Sequence, residues 1–366
     1  MIRHLLRRTI VGLLAASLLA TVTATTPAAA ASGASLTFVG GGYGHGIGMS
    51  QYGAYGRAAA GHGYQQILAH YYDGATMGSL DAFGNFGPGT DDVDVLLSVR
   101  SEVAISTPVV NGGPQPGWTV AISANGTSLG TATTPVSARR VGSGWSIKVG
   151  GVERCTAACN GAAIAVVLTS GSHVVLEAFE DGPNLGNGNG GYAHGRIELH
   201  PAAGNGCGSG DQFCVVHGGL DMQDYVRGIG EIPSSWPLEA QKAQAVAARS
   251  FAASAIIRRA GNGRPFDLYA STQDQNYVGH SKETACGNWC TGVASTDNQV
   301  LVHSGTVIEA YYSSSNGGYS APPPDVWSGA RRCPTSRPSP TPSTTTPRTP
   351  TGCGSAPTRW PTSAVG

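Results

Sequence analysis

The strongest constraint on the fold is the run at residues 238–259, in which alanine recurs and neither glycine nor proline occurs. Alanine has the highest helix propensity of the amino acids, so the run predicts one long helix. Ser234 or Ser235 is the predicted N-cap, Pro237 suits the first helical position, and Gly261 is the predicted C-terminal stop. Because alanine side chains let neighbouring backbones approach closely, we expect a buried, central helix.

The segment just before this helix presents a single carboxylate. We expect a short extended run from Asp224, a bend at residues 228–230, and then Glu231. Within the helix, Lys242 and Arg249 are seven residues apart and therefore share a face. Two cations on an alanine-lined face are unusual in a protein core, so we expect them to contact something anionic or polar.

Three stretches of the chain resemble the SpoIID/LytB family, the group of stage II sporulation protein D and the amidase enhancers. The first, residues 225–252, reads YVRGIGEIPSSWPLEAQKAQAVAARSFA. The second, residues 40–74, contains a Gly-His-Gly motif that is followed by a helical pattern. The third combines STQDQNY at residues 271–277 with VLVHSGTVIEAYYSSSNGG at residues 300–318. The length of these matched runs makes the resemblance specific.

The order of these stretches departs from the family pattern. In the sporulation relatives the Gly-His-Gly segment usually follows the helix that carries the glutamate, whereas here it precedes that helix. Either the chain is a permuted version of the same domain or its segments have been rearranged. Permutation is physically easy when the chain termini of a domain lie close together on its surface. We therefore expect the N-terminal block, residues 32–91, to pack against the later blocks and to help build the same groove.

The predicted fold is an α+β fold of SpoIID type with a β-rich insertion and a disordered C-terminal tail. Short Val- and Ile-rich runs separated by turn residues place the β-rich module at residues 92–201. The SpoIID/LytB core follows at residues 202–328. Residues 329–366 are rich in Pro, Ser and Thr, a composition typical of disorder. This tail is either a wall-spanning segment or the product of a truncated or frameshifted gene, and we favour the second interpretation.

The resemblance implies that Glu231 is the catalytic acid of a peptidoglycan lytic transglycosylase. Such an enzyme needs one acid, whereas ordinary glycosidases place two carboxyls around the bond that they cleave. Desolvation by Ile229, Ile232 and Trp236 would raise the pKa of Glu231, while the helix N-terminus and Arg249 would lower it. The sequence leaves both outcomes open, and position alone favours an ordinary capping or salt-bridged carboxylate.

The resemblance also implies a substrate-binding groove around this acid. Its predicted residues are Arg249, Gln273, Asp274, Tyr277, Tyr312 and Ser313 from the core, with His45, Ser50 and Gln51 from the N-terminal block. His45 lies between two glycines, so it either contacts substrate or bonds to backbone in a tight turn. Glu239 is the competing acid, but its position in the first helical turn suits a carboxylate that complements the helix dipole.

Two other functions stay open. An amidase enhancer would hold peptidoglycan and stimulate a partner cell-wall amidase, a role that does not need Glu231 as an acid. A metal-dependent hydrolase would use His280, Cys286, Cys290 and His303, with zinc as the cofactor. The favoured interpretation, the transglycosylase, includes no metal site and no cofactor.

The eight cysteines bear on the zinc alternative because they occur as local pairs. The pairs are Cys155 with Cys159, Cys207 with Cys214, Cys286 with Cys290, and Cys333 with Cys353. Short-range pairs in an exported chain are typical of disulfides. Some relatives are thought to hold zinc in the region of Cys286, but the paired Cys-x-x-Cys knuckles of structural zinc sites are absent here. Disulfides are therefore favoured over zinc.

The N-terminus and the charge balance predict where the protein acts. Residues 1–31 combine basic residues, a short apolar run and small residues, the pattern of a secretory signal peptide, and the run is shorter than the ~20 residues of a membrane span. The chain carries 22 Lys+Arg and 22 Asp+Glu, with 12% charged residues. This balance argues against nucleic acid as a partner. We expect a secreted, cell-wall or extracellular protein without a transmembrane segment after signal cleavage, whose partners are peptidoglycan glycan strands.

Overall fold

The computed structural model describes residues 40–83, 86, 93–155, 159–177, 190–284 and 286–328. The elements given below belong to one compact unit that begins at Gly41. The predicted signal peptide at residues 1–31 lies outside the described residues. So does the predicted tail at residues 329–366, with Cys333 and Cys353.

The protein is of mixed α+β class, as predicted. Its helices are α1 (Gln51–Ala59), α2 (Tyr64–Tyr71), α3 (Met222–Arg227), α4 (Leu238–Arg259), α5 (His280–Thr284), α6 (Gly287–Ser295) and α7 (Pro323–Val326), with a 3₁₀ turn at Leu80–Ala82. Its strands are β1 (Met49–Ser50), β2 (Thr76–Ser79), β3 (Val93–Arg100), β4 (Glu102–Ser106), β5 (Val109–Val110), β6 (Gly113–Pro114), β7 (Thr119–Ala124), β8 (Thr127–Ala132), β9 (Val136–Val141), β10 (Gly144–Val149), β11 (Val152–Glu153), β12 (Ile164–Ser170), β13 (Val174–Glu177), β14 (Gly191–Tyr192), β15 (Arg196–Pro201), β16 (Phe213–Leu220), β17 (Leu268–Tyr269), β18 (Gln299–His303), β19 (Thr306–Val307) and β20 (Tyr312–Ser313).

Two larger sheets carry most of the strands. One has the order β17-β3-β16-β15-β12-β7-β8 and is antiparallel apart from the parallel pair β3 and β17. The other has the order β11-β10-β9-β4-β13-β14 and is antiparallel. Inward-facing residues such as Ile122 of β7 and Ile105 of β4 join one hydrophobic core. The first sheet also includes strands that follow residue 201, where the β-rich module was predicted to end. Strands β16 and β17 pair with strands of that module.

Helix α4 is buried along most of its length and lies between two hydrophobic clusters, which confirms the predicted central helix. Val246 and Ala247 pack with apolar side chains of α1 and α2, whereas Ala248 and Ala252 belong to the larger core that includes the sheets. Small side chains on both sides of the helix allow these two clusters to approach it closely. The helix therefore joins the N-terminal block to the rest of the fold.

The beginning of α4 differs from the prediction, because the helix starts at Leu238 with Pro237 as its N-cap. The carbonyl of Pro237 already accepts hydrogen bonds from the backbone nitrogens of Ala240 and Gln241, at 3.0 and 3.1 Å. Ser234 and Ser235 lie too far upstream to serve as caps. The predicted C-terminal stop is confirmed, since the helix ends two residues before Gly261, which has a φ of +76°.

The predicted extended run at Asp224 is wrong, because Met222–Arg227 forms α3. Asp221 is its N-cap, and the Asp221 side chain accepts a hydrogen bond of 2.6 Å from the backbone nitrogen of Asp224. Tyr225 and Val226 are buried against the core. The cap and the buried apolar residues select a helical turn here.

The N-terminal block packs against the later blocks, as expected from the permuted order. Strand β1 pairs in parallel with β20, with Met49 opposite Tyr312. Ile67 and Leu68 of α2 are buried in the cluster that also contains Val246 of α4. This docking places the Gly-His-Gly segment beside the helix that follows Glu231.

The cysteine pairs that the structure describes are disulfides: Cys155–Cys159, Cys207–Cys214 and Cys286–Cys290. This confirms the favoured interpretation of these three pairs. Within the described part of the chain, none of the helices has the length and apolar character needed to cross a membrane.

Candidate functional site

A cleft of about 370 Å³ opens where the N-terminal block meets the core. We call one side the acidic wall, which consists of Glu231, Phe251, Thr272 and Asp274. We call the other side the glycine-rich wall, which consists of Tyr43, Gly44, His45, Gln51, Tyr311, Tyr312, Ser313 and Ser314. Six of the predicted site residues therefore meet in one cavity: Glu231, Asp274, Tyr312, Ser313, His45 and Gln51.

The glycine-rich wall is held together by backbone contacts between distant segments. The backbone nitrogen of Met49 donates to the carbonyl of Tyr311 at 3.0 Å, and that of Tyr43 donates to Ser315 at 2.8 Å. Gly48 has a φ of +67°, and a Cβ atom there would lie 1.9 Å from the carbonyl oxygen of Tyr311. Only glycine satisfies both the left-handed backbone and this close approach.

Glu231 is placed by the loop that contains Asn276. The backbone nitrogen of Gly230 donates to the carbonyl of Asn276 at 2.7 Å. The side-chain nitrogen of Asn276 donates to the carbonyl of Gly230 at 3.1 Å, and its backbone nitrogen donates to Oε1 of Glu231 at 2.7 Å. Reciprocal bonds between the two segments therefore orient one carboxylate oxygen and leave the half-buried side chain at the cleft surface.

Burial raises the pKa of Glu231 above its ordinary value. Hydrogen bonds from the backbone of Asn276 and the side chain of Gln51 stabilise the ionised form, but they do not offset desolvation. Arg249, which could have lowered this pKa, instead donates to the carbonyl of Thr296 at 2.8 Å. Within the described residues, no basic side chain forms an ion pair with Glu231. The sequence left open whether desolvation or nearby positive charge dominates the pKa of Glu231, and in the structure desolvation dominates.

The second carboxyl of the acidic wall, Asp274, has a different environment. The two guanidinium nitrogens of Arg259 donate to its two oxygens, both at 2.7 Å. The backbone nitrogen of Tyr269 also donates to Asp274, at 2.8 Å, and the Asp274 side chain is 1% exposed. Both oxygens of Asp274 are therefore engaged by Arg259 in a bidentate pair, an arrangement that suits a structural role.

Three predicted residues of the glycine-rich wall make contacts within the protein. Ser313 accepts a hydrogen bond from the backbone nitrogen of Gly46 at 3.2 Å. The hydroxyl of Tyr312 accepts one from the side-chain nitrogen of Gln275 at 2.7 Å. Nδ1 of His45 accepts one from the backbone of Ile47 at 3.0 Å, and burial lowers the pKa of His45. Burial therefore disfavours the charged form of the His45 imidazole.

Four predicted site residues lie away from the cleft lining. Ser50 caps α1, where its hydroxyl accepts a hydrogen bond from the backbone of Gly53 at 3.1 Å. Gln273 is exposed. Tyr277 is buried, and its hydroxyl is 2.9 Å from Nδ1 of His217. Arg249 is also buried.

The two cations of α4 contact polar groups, as their placement predicted. The guanidinium of Arg249 binds the carbonyl of Thr296 and, at 2.8 Å, Oε1 of Gln223. Nζ of Lys242 lies 2.6 Å from Oε1 of Glu239. Glu239, the competing acid, also accepts a hydrogen bond from the backbone nitrogen of Tyr64 at 2.8 Å. Glu239, which belongs to α4, therefore links this helix to α2.

Several cleft residues escaped the sequence analysis: Tyr43, Gly44, Phe251, Thr272, Tyr311 and Ser314. Each lies within or beside a stretch that resembles the family, so their neighbourhood was recognisable. Nothing in the local pattern distinguishes Tyr311 from Tyr312, because their roles depend on the pairing of β20 with β1.

The zinc alternative receives no support from the side-chain geometry. Among the residues that the structure describes, no group of three or more His, Cys, Asp or Glu side chains is arranged to hold a metal ion. Cys286 and Cys290 are joined to each other. His280 stacks on His173 at 4.3 Å, and Nδ1 of His303 lies 3.0 Å from the carbonyl of Gly74.

Comparison with known proteins matches the segment that contains Glu231. Residues 213–303 match the family model of the stage II sporulation protein, SpoIID. The match lies where the motifs indicated a SpoIID-type segment, and it contains the whole acidic wall. The glycine-rich wall lies outside the matched segment.

Individual relatives are likewise similar to this chain over only part of its length. An uncharacterized protein of Brachyspira hyodysenteriae is 39% identical over 110 residues, which is 29% of this chain and 28% of that protein. The amidase enhancer of Bacillus subtilis is 41% identical over 100 residues, 27% of this chain and 13% of the relative. The stage II sporulation protein D of Bacillus subtilis is 29% identical over 124 residues, 30% and 36% of the two chains.

The similarity thus spans little more than a third of the length of these relatives at most. No solved structure matches the chain.

Proposed function

We propose that this protein binds peptidoglycan glycan strands in the cleft and cleaves them as a lytic transglycosylase, with Glu231 as the acid/base. The observation that carries the proposal is the environment of Glu231, a carboxyl at the cleft surface whose pKa is raised by burial. A carboxyl with a raised pKa can hold its proton at a higher pH than an ordinary glutamate and donate it to substrate.

The proposed reaction moves one proton out of Glu231 and one proton back. Protonated Glu231 donates its proton to the glycosidic oxygen, and the bond between that oxygen and the anomeric carbon breaks. The C6 hydroxyl of the same sugar then attacks the anomeric carbon, and the carboxylate of Glu231 takes the hydroxyl proton. The products are one chain with a free hydroxyl and one with an anhydro end, and no water is consumed.

The surroundings of Glu231 support a mechanism with one acid. Ordinary glycosidases use two carboxyls, one of which acts as a base or a nucleophile. The other carboxyl in this cleft, Asp274, is bound by both guanidinium nitrogens of Arg259. The hydrogen bond from the backbone of Asn276 to Oε1 orients the carboxyl of Glu231, which lines the cleft where substrate would bind.

The proposed location is the cell wall or the extracellular space. The three disulfides support it, because such bonds persist in oxidising environments. Two similar proteins are named for amidase enhancement and for sporulation, and cell-wall glycan is the substrate that we infer for this chain.

The test is digestion of amidase-treated glycan strands by the purified mature protein, beside Glu231→Gln and Glu239→Gln, with mass analysis of the products. We expect anhydro-ended sugars from the wild type and Glu239→Gln, and none from Glu231→Gln. Reducing-end products without the anhydro mass would indicate hydrolysis and contradict the proposal. Anhydro products from Glu231→Gln would remove Glu231 as the acid.

A second candidate function is that of a non-catalytic amidase enhancer that binds peptidoglycan. The identity of 41% to a protein named amidase enhancer favours it. The two functions separate in one assay, in which a cell-wall amidase digests peptidoglycan with wild type or Glu231→Gln added. Equal stimulation by both proteins, with no glycan cleavage by either, would support the enhancer and contradict the transglycosylase.

A further inference from the structure

Three aromatic side chains form a surface cluster that the cleft itself does not include. Tyr52 and Tyr55 of α1 each pack against Trp236, with ring centroids 5.1 Å apart in both pairs and interplanar angles of 58° and 64°. Tyr52 is 61% exposed and Tyr55 is 40% exposed. We call these three residues the aromatic platform. Large aromatic side chains left this exposed and clustered are typical of binding surfaces.

The aromatic platform is continuous with the cleft through the backbone. Gln51, which lines the cleft, directly precedes Tyr52 in α1. The backbone nitrogen of Tyr52 donates to the carbonyl of Ser314, another cleft residue, at 3.0 Å. Trp236 follows Glu231 by five residues, in the short segment before α4. A chain molecule bound beside Glu231 can therefore extend onto the aromatic platform.

The low charge around the aromatic platform indicates what kind of molecule can bind there. Helix α1, QYGAYGRAA, carries one charged residue, Arg57, and the side chain of Arg57 hydrogen-bonds the hydroxyl of Tyr71. The segment SSWP around Trp236 carries no charge. An uncharged surface of aromatic rings suits the apolar C–H faces of pyranose rings, whose hydroxyls remain at the edges in water.

We propose that the aromatic platform is a second sugar-binding subsite, on which the glycan strand stacks as it leaves the cleft. This inference deepens the proposed function and rests on it for the identity of the polymer. The subsite makes the protein prefer long glycan chains over short ones. A short oligosaccharide fills the cleft alone, whereas a longer one also gains the stacking contacts.

The test measures binding of uncharged N-acetylglucosamine oligomers, a trisaccharide and a hexasaccharide, by calorimetry. Every protein carries Glu231→Gln, so that no substrate is consumed. The platform variant is Tyr52→Ala with Tyr55→Ala, and the matched control is Tyr52→Phe with Tyr55→Phe, which keeps both rings. Trp236 is left intact because it is half-buried and packs against the core.

We expect the alanine pair to weaken hexasaccharide binding by at least about tenfold, with trisaccharide binding unchanged. The phenylalanine pair should bind both oligomers as the parent does. Equal hexasaccharide affinity in the alanine and phenylalanine pairs would overturn the proposal. So would a parent protein that binds the hexasaccharide no better than the trisaccharide.

The outcomes also separate this inference from the proposed function. If the parent shows the preference for length and the alanine pair loses it, while wild type cleaves no glycan, then the subsite stands and the transglycosylase fails. If the alanine pair binds both oligomers normally but no longer stimulates a cell-wall amidase, the occupant is a protein and the sugar subsite is overturned. Thermal unfolding of both pairs checks that the fold is intact.

Discussion

The two walls of the cleft differ in charge and in how they are built. The acidic wall belongs to the segment matched by the SpoIID family model, and α4 with the loop around Asn276 anchors it. The glycine-rich wall joins two segments far apart in the chain through the parallel pair β1 and β20. Both carboxyls of the cleft lining lie on the first wall, whereas the second presents hydroxyls, an amide, aromatic rings and a histidine whose pKa is lowered by burial.

This difference explains the pKa of Glu231. The glycine-rich wall covers the carboxyl and removes water, but the residues described there bring no cation that would stabilise its charge. The acidic wall places its cation, Arg259, on Asp274. One carboxyl is therefore paired with a cation, whereas burial raises the pKa of the other, so two carboxyls that line the same cleft have different environments.

The largest expected effect comes from the acidic wall, in Glu231→Gln. Loss of a general acid reduces the rate by about 10²- to 10⁴-fold. The measurement is the initial rate of anhydro-sugar formation from stripped glycan. Glu239→Gln is the control, because Glu239 binds Lys242 and the backbone of Tyr64 and is not among the residues that line the cleft. An equal loss of rate in Glu231→Gln and Glu239→Gln would contradict the proposed role of Glu231 as the general acid.

The stability of Glu231→Gln provides a second check. A pKa raised in the folded state means that wild type has its full stability below the ordinary value of 4.5 and loses part of it as pH rises through the folded pKa. Glu231→Gln has no carboxyl to ionise at this position, so it does not lose stability in this way. Its melting temperature should therefore exceed that of wild type at pH 7, with a smaller difference at pH 4, as followed by circular dichroism.

The next effect comes from the backbone that supports the glycine-rich wall, in Gly48→Ala. The added Cβ meets the carbonyl of Tyr311 and the backbone is left-handed, so the free energy of unfolding should fall by about 3 kcal/mol or more. Gly46→Ala is the matched control. Gly46 also has a positive φ, of +70°, but no atom lies within 4 Å of its added Cβ, so it should lose about 1–2 kcal/mol.

Urea unfolding of the two glycine variants measures the difference. Equal losses would show that the close approach to Tyr311 contributes nothing. A loss of activity in Gly48→Ala without a loss of stability would indicate that this wall acts on substrate and not through the fold.

A smaller effect is expected from Asp274→Asn on the acidic wall. The substitution removes the charged partner of Arg259 and should reduce the free energy of unfolding by about 2 kcal/mol, the range for hydrogen bonds to charged groups. A double-mutant cycle with Arg259→Gln isolates the pair. If Asp274→Asn keeps its stability but loses cleavage as Glu231→Gln does, the mechanism needs two carboxyls and the comparison of the two environments is wrong.

The smallest effect is expected from Gln51→Met, across the cleft from the acid. Gln51 stabilises the ionised form of Glu231, so its removal raises the pKa of Glu231 further. Because the general acid must be protonated, the fall of kcat/KM at high pH should move to higher pH. Gln65→Met, at an exposed position of α2, is the control. A shift to lower pH would contradict the assigned hydrogen bond.

Much of the fold could be predicted because it depends on local pattern. The alanine run defined α4, and the Gly-His-Gly segment followed by α1 and α2 was recognisable. The extended run predicted at Asp224 was wrong although a local signal existed, since Asp221 followed by buried Met222 and Tyr225 is a capped helical turn. The N-cap of α4 was missed because serines upstream were preferred to Pro237.

The site was less predictable than the fold because its members meet through long-range contacts. Gln273 and Tyr277 belong to the same matched run as Asp274 and carry the same resemblance, yet Gln273 is exposed and Tyr277 is buried, and neither lines the cleft. Phe251 and Tyr311 line the cleft, but nothing in the sequence around them distinguishes them from neighbouring core residues. Which side chain of a matched run faces the cavity depends on the element packed against it.

By itself the sequence determined the central helix, the α+β class, the local cysteine pairs and the one glutamate to examine, because helix propensity, spacing and motif are properties of short segments. Only the tertiary structure decided that Glu231 is covered by the glycine-rich wall, that Asp274 is bound by Arg259, and that Arg249 serves the core. A pKa depends on every charge and dipole within a few ångströms, and here those groups come from segments that folding alone brings together.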